Sequence, residues 1–341
     1  MTAFRKSALA LVVAAGVCAL FVSADKLPAN AAIRSAPAPL AAAATSTPAT
    51  ADQQHFTAAN LWSSAGPSPE DIRQKNIGDC YFDSTLAAVA FAQPERIVRA
   101  ISFDPDIDVF TVRLYDYAEG RDYIPGTHGD GNPWPAGTPV TPTTIAVTQH
   151  DIQEDIHAAG ASSVQTGTPG YIWPAVMEAA YAKLLDGEYA RYTDVKKFMN
   201  PVELGLKIAE ASNEKNPLWA GGDVDQGMAS VTGETGSYVP AALSSYDAIA
   251  SAIAERRPVT MGTRPSTQTF QDRLVFNHQY TVLGIAKNAN GEVTLTVRNP
   301  WGTNEGVPGV PKPSDASVAV DLRQALADKV IGSFDIGPLP R

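Results

Sequence analysis

The 341-residue chain has a formal charge of −10, from 36 Asp and Glu against 26 Lys and Arg. Apolar residues make up 44% and charged residues 18%, so most of the chain can bury a core and global disorder is excluded. The length suits one large domain or two lobes, and an acidic balance without a basic stripe excludes nucleic acid as an expected partner.

The N-terminus reads as an export signal over residues 1–31. Arg5 and Lys6 precede an apolar run from Ala8 to Val22, which is short of the about 20 residues that a membrane span needs. Two small-x-small sites follow, Val22–Ser23–Ala24 and Ala29–Asn30–Ala31, so cleavage is expected after Ala24 or Ala31. A secreted protein with no stable membrane span after signal removal is predicted, and an uncleaved anchor is the alternative. Residues 32–55, rich in Ala, Pro and Thr, read as a linker or pro-segment. Of the two cysteines, Cys18 leaves with the signal and Cys80 stays. No disulfide can then form within the chain, and a lone thiol in an oxidising compartment must be either buried or used.

Globular character runs over 56–336 and divides near 235. In the first part, 56–235, apolar spacing predicts helices over 81–91, ended by Pro94, and over 173–185. The Gly/Pro-rich stretch 123–142 between them reads as a surface loop. The second part, 236–336, predicts a helix over 246–255 capped by Ser244 or Ser245, then strands over 259–262, 279–286 and 293–298. A helical lobe followed by a β-rich lobe is an α+β arrangement with a natural cleft between its parts.

Cys80 falls at the start of the first helix. There the free N–H groups and the macrodipole favour a thiolate, with Asp79 able to cap and Gly78 able to turn the backbone. Alone, such a cysteine is more often a small core residue. His278 and Asn299 alter that reading. They flank two strands joined by Asn288–Ala289–Asn290–Gly291, a sequence that favours a hairpin turn. Closing the hairpin brings them to the same end of neighbouring strands. The Asn oxygen can then hold one ring nitrogen and leave the other to face a thiol. Gln74, six residues before Cys80, could donate to an oxyanion beside the Cys80 N–H, although a loop glutamine is ordinarily just solvated.

The run from Asp71 to Phe82 (Asp-Ile-Arg-Gln-Lys-Asn-Ile-Gly-Asp-Cys-Tyr-Phe), the run from Asn277 to Val282, and Val297–Arg298–Asn299–Pro300–Trp301–Gly302 closely resemble the active-site blocks of calpain family cysteine proteases. The stretch from Tyr171 to Leu184, with Gly187 and Tyr189, is similar to the helix that family carries between its Cys and His blocks. The four blocks occur in the family's order between Leu61 and Phe334. The resemblance implies a papain-like fold and a secreted cysteine endopeptidase acting on protein or peptide substrates. It implies Cys80 as nucleophile, His278 as base and acid, Asn299 as orienter, Gln74 as oxyanion donor and Trp301 as a cover over the His–Asn pair. Departures are Tyr81 for the usual Trp, Asp83 at a normally apolar position, Asn277 for the customary Gly, and Gly306 near the place of a missing Trp.

No organic cofactor is required on this reading. Calcium is the one ion it allows, because Asp71 and Glu178 resemble ligands of a family site and carboxylates suit that ion; surface acids or a structural ion pair are the bland reading of both. The acidic run Asp104–Asp108 reads as a turn. His150 and His157, with Asp151, Glu154 and Asp155, read as a solvated helix face rather than a metal site. Two other functions compete: a transglutaminase-like acyltransferase, which Asn299 in place of Asp argues against, and an exported binding protein that keeps the fold without catalysis.

Overall fold

The computed structural model describes residues 55–74, 78–117, 140–157, 170–194 and 224–341. The expected signal, its two cleavage sites and nearly all of the 32–55 segment lie outside the described residues. No helix among the described residues is long and apolar enough to cross a membrane.

Helices and antiparallel sheets are both present, in two hydrophobic cores. The first core gathers α1 (Cys80–Ala92), α2 (Pro94–Ala100), α3 (Gln149–His157), α4 (Trp173–Asp194) and α5 (Val224–Thr232) around a three-stranded sheet. That sheet is β1 (Ile101–Asp104), β2 (Val109–Tyr117) and β3 (Val140–Thr148), in the order β1-β2-β3. Sequence periodicity predicted only helices here. Val140–Pro142, assigned to the loop 123–142, instead pair with Tyr115–Tyr117 as the start of β3. The remainder of that loop, 123–139, lies outside the described residues. The acidic run Asp104–Asp108 does turn between β1 and β2, with Asp108 at φ 58°.

The second core is a six-stranded sheet in the order β10-β9-β8-β5-β11-β4. Its strands are β4 (Ser237–Pro240), β5 (Val259–Thr263), β8 (Gln279–Lys287), β9 (Val293–Arg298), β10 (Ser317–Asp321) and β11 (Ile331–Ile336), with the short ribbon β6 (Phe270–Gln271) and β7 (Leu274–Val275) beside it. Two helices belong to this part, α6 (Tyr246–Ala254) and α7 (Leu322–Ala327). Ser245 caps α6 by accepting from the Ala248 N–H at 3.1 Å, as the sequence predicts.

Helix α1 joins the two cores. Every one of its residues except Cys80 and Phe91 is buried, so it is a core helix rather than an amphipathic surface one. Each fully buried Leu or Val, such as Leu86 and Val89, contributes about 1.5–3 kcal/mol. On one side Phe82 stacks on Tyr181 of α4, with ring centroids 4.0 Å apart. On the other, Thr281 of β8 donates its hydroxyl proton to the Ser84 carbonyl at 2.7 Å. The helix ends where Gln93 leaves helical geometry ahead of Pro94, which has no N–H to continue the ladder.

The β8–β9 hairpin forms as expected. Gly291 takes φ 82° and donates to the Asn288 carbonyl at 3.0 Å, closing the turn. The register shifts by one residue between Val282 and Gly284, and Thr281 pairs with Arg298. Just before β8, Asn277 sits in the left-handed region at φ 53°. Asn tolerates that region better than other residues with a side chain, which explains how it stands where the resembling family has Gly. Asn277→Gly is therefore expected to keep stability to within about 0.5 kcal/mol. Asn277→Val, which strains the same backbone, should lose about 1–2 kcal/mol in urea unfolding.

Candidate active site

The start of α1 and the facing ends of β8 and β9 bring three of the predicted residues into one region. Cys80 opens α1, and the main-chain N–H of Gln279, the residue after His278, hydrogen-bonds its sulfur. His278 is held at its own backbone, where its N–H donates to Thr263 Oγ1 at 2.9 Å. Its ring Nε2 lies 2.9 Å from Asn299 Oδ1. The same Oδ1 accepts the Trp301 N–H at 3.1 Å, which identifies it as the oxygen. Nε2 must then carry the proton and donate, leaving Nδ1 as the acceptor nitrogen of the ring. Trp301 lies over the pair, its ring 4.8 Å from the imidazole, and Tyr280 meets the imidazole edge-on at 5.0 Å.

The segment carrying Gln74 docks on the same strand end. The Gln74 N–H donates to the Pro300 carbonyl at 2.8 Å, and buried Arg298 donates to the Ile72 carbonyl at 2.7 Å. Gly302 at φ 72° permits this approach, since a Cβ there would meet Arg73 Cγ at 2.8 Å. The Gln74 side chain, however, donates Nε2 to Asp79 Oδ1 at 2.6 Å. The expected oxyanion donor is thus held by a carboxylate. The same bond removes Asp79 from its expected capping role: its side chain makes no cap bond, and its ψ of 17° departs from the extended backbone that aims a cap at the first turn.

The electrostatics differ from those of an activated thiolate. Burial pushes the Cys80 thiol up to about 12; the charges of Asp79 and Asp83 add to this, while the Gln279 and Tyr81 N–H groups oppose it. Burial also pulls the His278 imidazole down to about 4, against the hydrogen bond it donates to Asn299. Both partners are neutral in this arrangement. The macrodipole, equivalent to about half a charge at the helix start, is outweighed by desolvation and two nearby acids.

Those acids form a set. Asp79, Asp83 and Glu178 bring carboxylate oxygens within 4.8 Å of one another, and all three are fully buried. Burial and then neighbouring charge hold Asp79 and Glu178 well above the usual carboxylate range. Burial pushes Asp83 up to about 6, opposed by a bond with Glu178 and by the Arg298 charge. Two carboxyl groups can bond only through a shared proton. Among the described residues, no other donor reaches Asp79 Oδ2 or either oxygen of Asp83 and Glu178. Asp155, expected on a solvated face, is 5% exposed and adds its charge to Asp79 and Glu178.

Asp71, expected beside Glu178 as a calcium ligand, does not belong to this set. Its Oδ2 accepts the Trp173 indole N–H at 2.7 Å and the Ser68 N–H at 3.0 Å. On α3, His150 lies 3.5 Å from Glu154, and Asp151 pairs with Lys183; the His157 side chain lies outside the described residues. Sequence reasoning missed Asn304. Fully buried, it accepts from Asn299 Nδ2 at 3.3 Å and spends its own Nδ2 on the Asp315 and Ala316 carbonyls, fixing the Asn299 amide plane. A polar residue just past the Asn-Pro-Trp-Gly block was the only available signal.

Compared with known proteins, the chain matches no protein-family model and no curated protein sequence.

Because the folded-state value for Asp83 lies above its unfolded one, its contribution to stability is present at low pH and lost as pH rises through about 6. Asp83→Asn, measured in chelator, should therefore stabilise the fold by on the order of 1–3 kcal/mol at pH 8 and by nothing at pH 3.5. Thermal unfolding at the two pH values checks the sign.

Proposed function

We propose that the protein is a secreted, calpain-like cysteine endopeptidase with a papain-like arrangement of its two cores. The observation that carries this reading is the 2.9 Å His278–Asn299 bond beneath Trp301, with Cys80 bonded to the very next main-chain N–H. An imidazole whose Nε2 is pinned by an amide has one nitrogen left to take a proton, and a thiol at a helix start is hydrogen-bonded to the main chain of the next residue.

In the proposed reaction Cys80 gives its proton to His278 Nδ1 as the sulfur attacks a peptide carbonyl carbon. The carbonyl electron pair moves onto oxygen, where the Cys80 N–H and Gln74 Nε2 stabilise it, and Gln74 must leave Asp79 to do so. Collapse of the adduct breaks the C–N bond, and the amine departs with the proton from His278. A water then gives a proton to His278 and attacks the thioester, and the thiolate leaves and is reprotonated. Trp301 shields the His278–Asn299 bond from water. Asp79, Asp83 and Glu178 are hard oxygen donors, and the free Oδ2 of Asp79 with the Asp83 and Glu178 oxygens fits a divalent cation. Calcium held there would supply positive charge to the acid set, and Asp79 would then no longer need the Gln74 amide.

Unfolded casein supplied to the purified protein, with calcium or with chelator, tests the reading. Cleavage is expected from the wild type and none from Cys80→Ala; equal cleavage by both would reject the mechanism. Asn299→Ala should lower kcat by about 10- to 100-fold with a smaller change in KM. Alkylation of Cys80 by iodoacetamide should keep accelerating above pH 9, because the thiol is raised to about 12. A rate plateau between pH 5 and 8 would instead reveal a thiolate–imidazolium pair.

A further inference from the structure

Beyond the end of α1 remote from Cys80, α2, β2 and α5 line a half-open surface pocket of about 100 Å³, at which Arg99 and Arg113 are exposed. Arg96, Arg99, Arg113 and Tyr115 line it, with Ala100 and Val231. Every charged residue on this lining is an arginine, in a chain whose net charge is −10.

Two of the three guanidinium groups are held in place. Arg96 donates to Gln93 Oε1, to the Thr232 carbonyl at 2.8 Å and to the Leu339 carbonyl at 3.0 Å. Three of its five N–H bonds are thereby used and two remain. Arg113 stands over the Tyr115 ring, 5.6 Å from its centroid. That ring packs so closely on Gly233, at φ 81°, that a Cβ there would lie 2.9 Å from it. Arg99 is one helical turn from Arg96, a spacing that brings the two side chains together.

Among the described residues, counter-charge is sparse around these groups. Arg99 and Arg113 make no hydrogen bond or ion pair with any described residue. The acid that acts on Arg96 is Glu234, and its carboxylate already meets the Arg341 guanidinium at 2.8 Å. Like charges gathered round a pocket repel unless an anion lies between them. Guanidinium groups also present fixed forks of donors that match the oxygens of phosphate. At about 30 Å³ for each water in the liquid, the pocket has room for about three waters, enough for one tetrahedral oxyanion and little more.

We propose that this pocket is a binding site for one phosphate group, either the free ion or the terminal group of a phosphomonoester whose organic part stays outside. Helix α1 is about 18 Å long, at 1.5 Å per residue, and Cys80 lies at its other end. The bound group is therefore not the substrate of the sulfur, and the proposal stands apart from the proteolytic reading.

Isothermal titration calorimetry of the full chain with inorganic phosphate, and separately with glycerol 2-phosphate, tests it at ionic strength held constant with sodium chloride. Saturable 1:1 binding of at least one ligand is expected. Binding of inorganic phosphate alone identifies a site for the free ion; binding of both identifies one open to esters. Arg99→Gln and Arg113→Gln should each weaken binding by about 10- to 100-fold, the effect of losing a charge-assisted hydrogen bond. Arg323→Gln, on exposed α7, should leave it unchanged. Arg99 holds no other group in place, so its variant should unfold at the wild-type temperature without ligand. Absence of saturable binding to both ligands would overturn the proposal, as would equal losses from Arg99→Gln and Arg323→Gln.

Discussion

The first turn of α1 is seated against the start of β8 by bonds that each use at least one main-chain group. Thr281 reaches the Ser84 carbonyl at 2.7 Å, and the Gln279 N–H reaches the Cys80 sulfur. Beside this seam, Arg298 bonds the Ile72 carbonyl and the Gln74 N–H bonds the Pro300 carbonyl. The sulfur lies 198 positions before the imidazole and 219 before the amide, and no single element fixes their relation. None of these bonds uses the Tyr81 side chain. Tyr81 can therefore replace the bulkier aromatic of the resembling family while its neighbour keeps its place.

The same seating sets the electrical state of the site. Packing α1 between two cores strips water from His278 and the acids and from much of half-buried Cys80, and desolvation disfavours charge on each of them. For the thiol and the imidazole the effects reinforce one another: the acid rises, the base falls, and the proton stays on sulfur. For Asp79 desolvation has a structural outlet, because the nearest strong donor is the Gln74 amide. The captured glutamine and the protonated thiol therefore share one cause.

Much of this was legible in the sequence, for identifiable reasons. The β8–β9 hairpin announces itself through β-branched strands and a central Asn-Gly, so the meeting of His278 and Asn299 could be foreseen from local signals. Strand β3 could not. It contains Pro142, alternates poorly and is largely exposed, and its partner β2 lies more than 20 residues earlier. The contact of Arg298 with Ile72 spans 226 positions and leaves no local trace. Asp83 was conspicuous as a polar residue at an apolar position, but its pairing with Glu178 depends on how α1 meets α4. Asn277 was legible in a different sense, since its left-handed backbone gives a physical reason for Asn to occupy a place that suits Gly.

The start of α1 has more claimants than its dipole can satisfy. Free N–H groups at a helix start stabilise about half a unit of negative charge. Cys80 competes for it with Asp79 just before and Asp83 one turn on. Both acids raise the sulfur's affinity for its proton, and Asp83 and Asp155 raise that of Asp79 in turn. A thiolate and ionised forms of both aspartates cannot all be held at one buried helix end. Whatever neutralises the acids, whether a proton or a cation, returns the helix field to the sulfur and removes the reason for Asp79 to hold Gln74. On the proposed proteolytic reading, the nucleophile and its oxyanion donor would then be released by the same event.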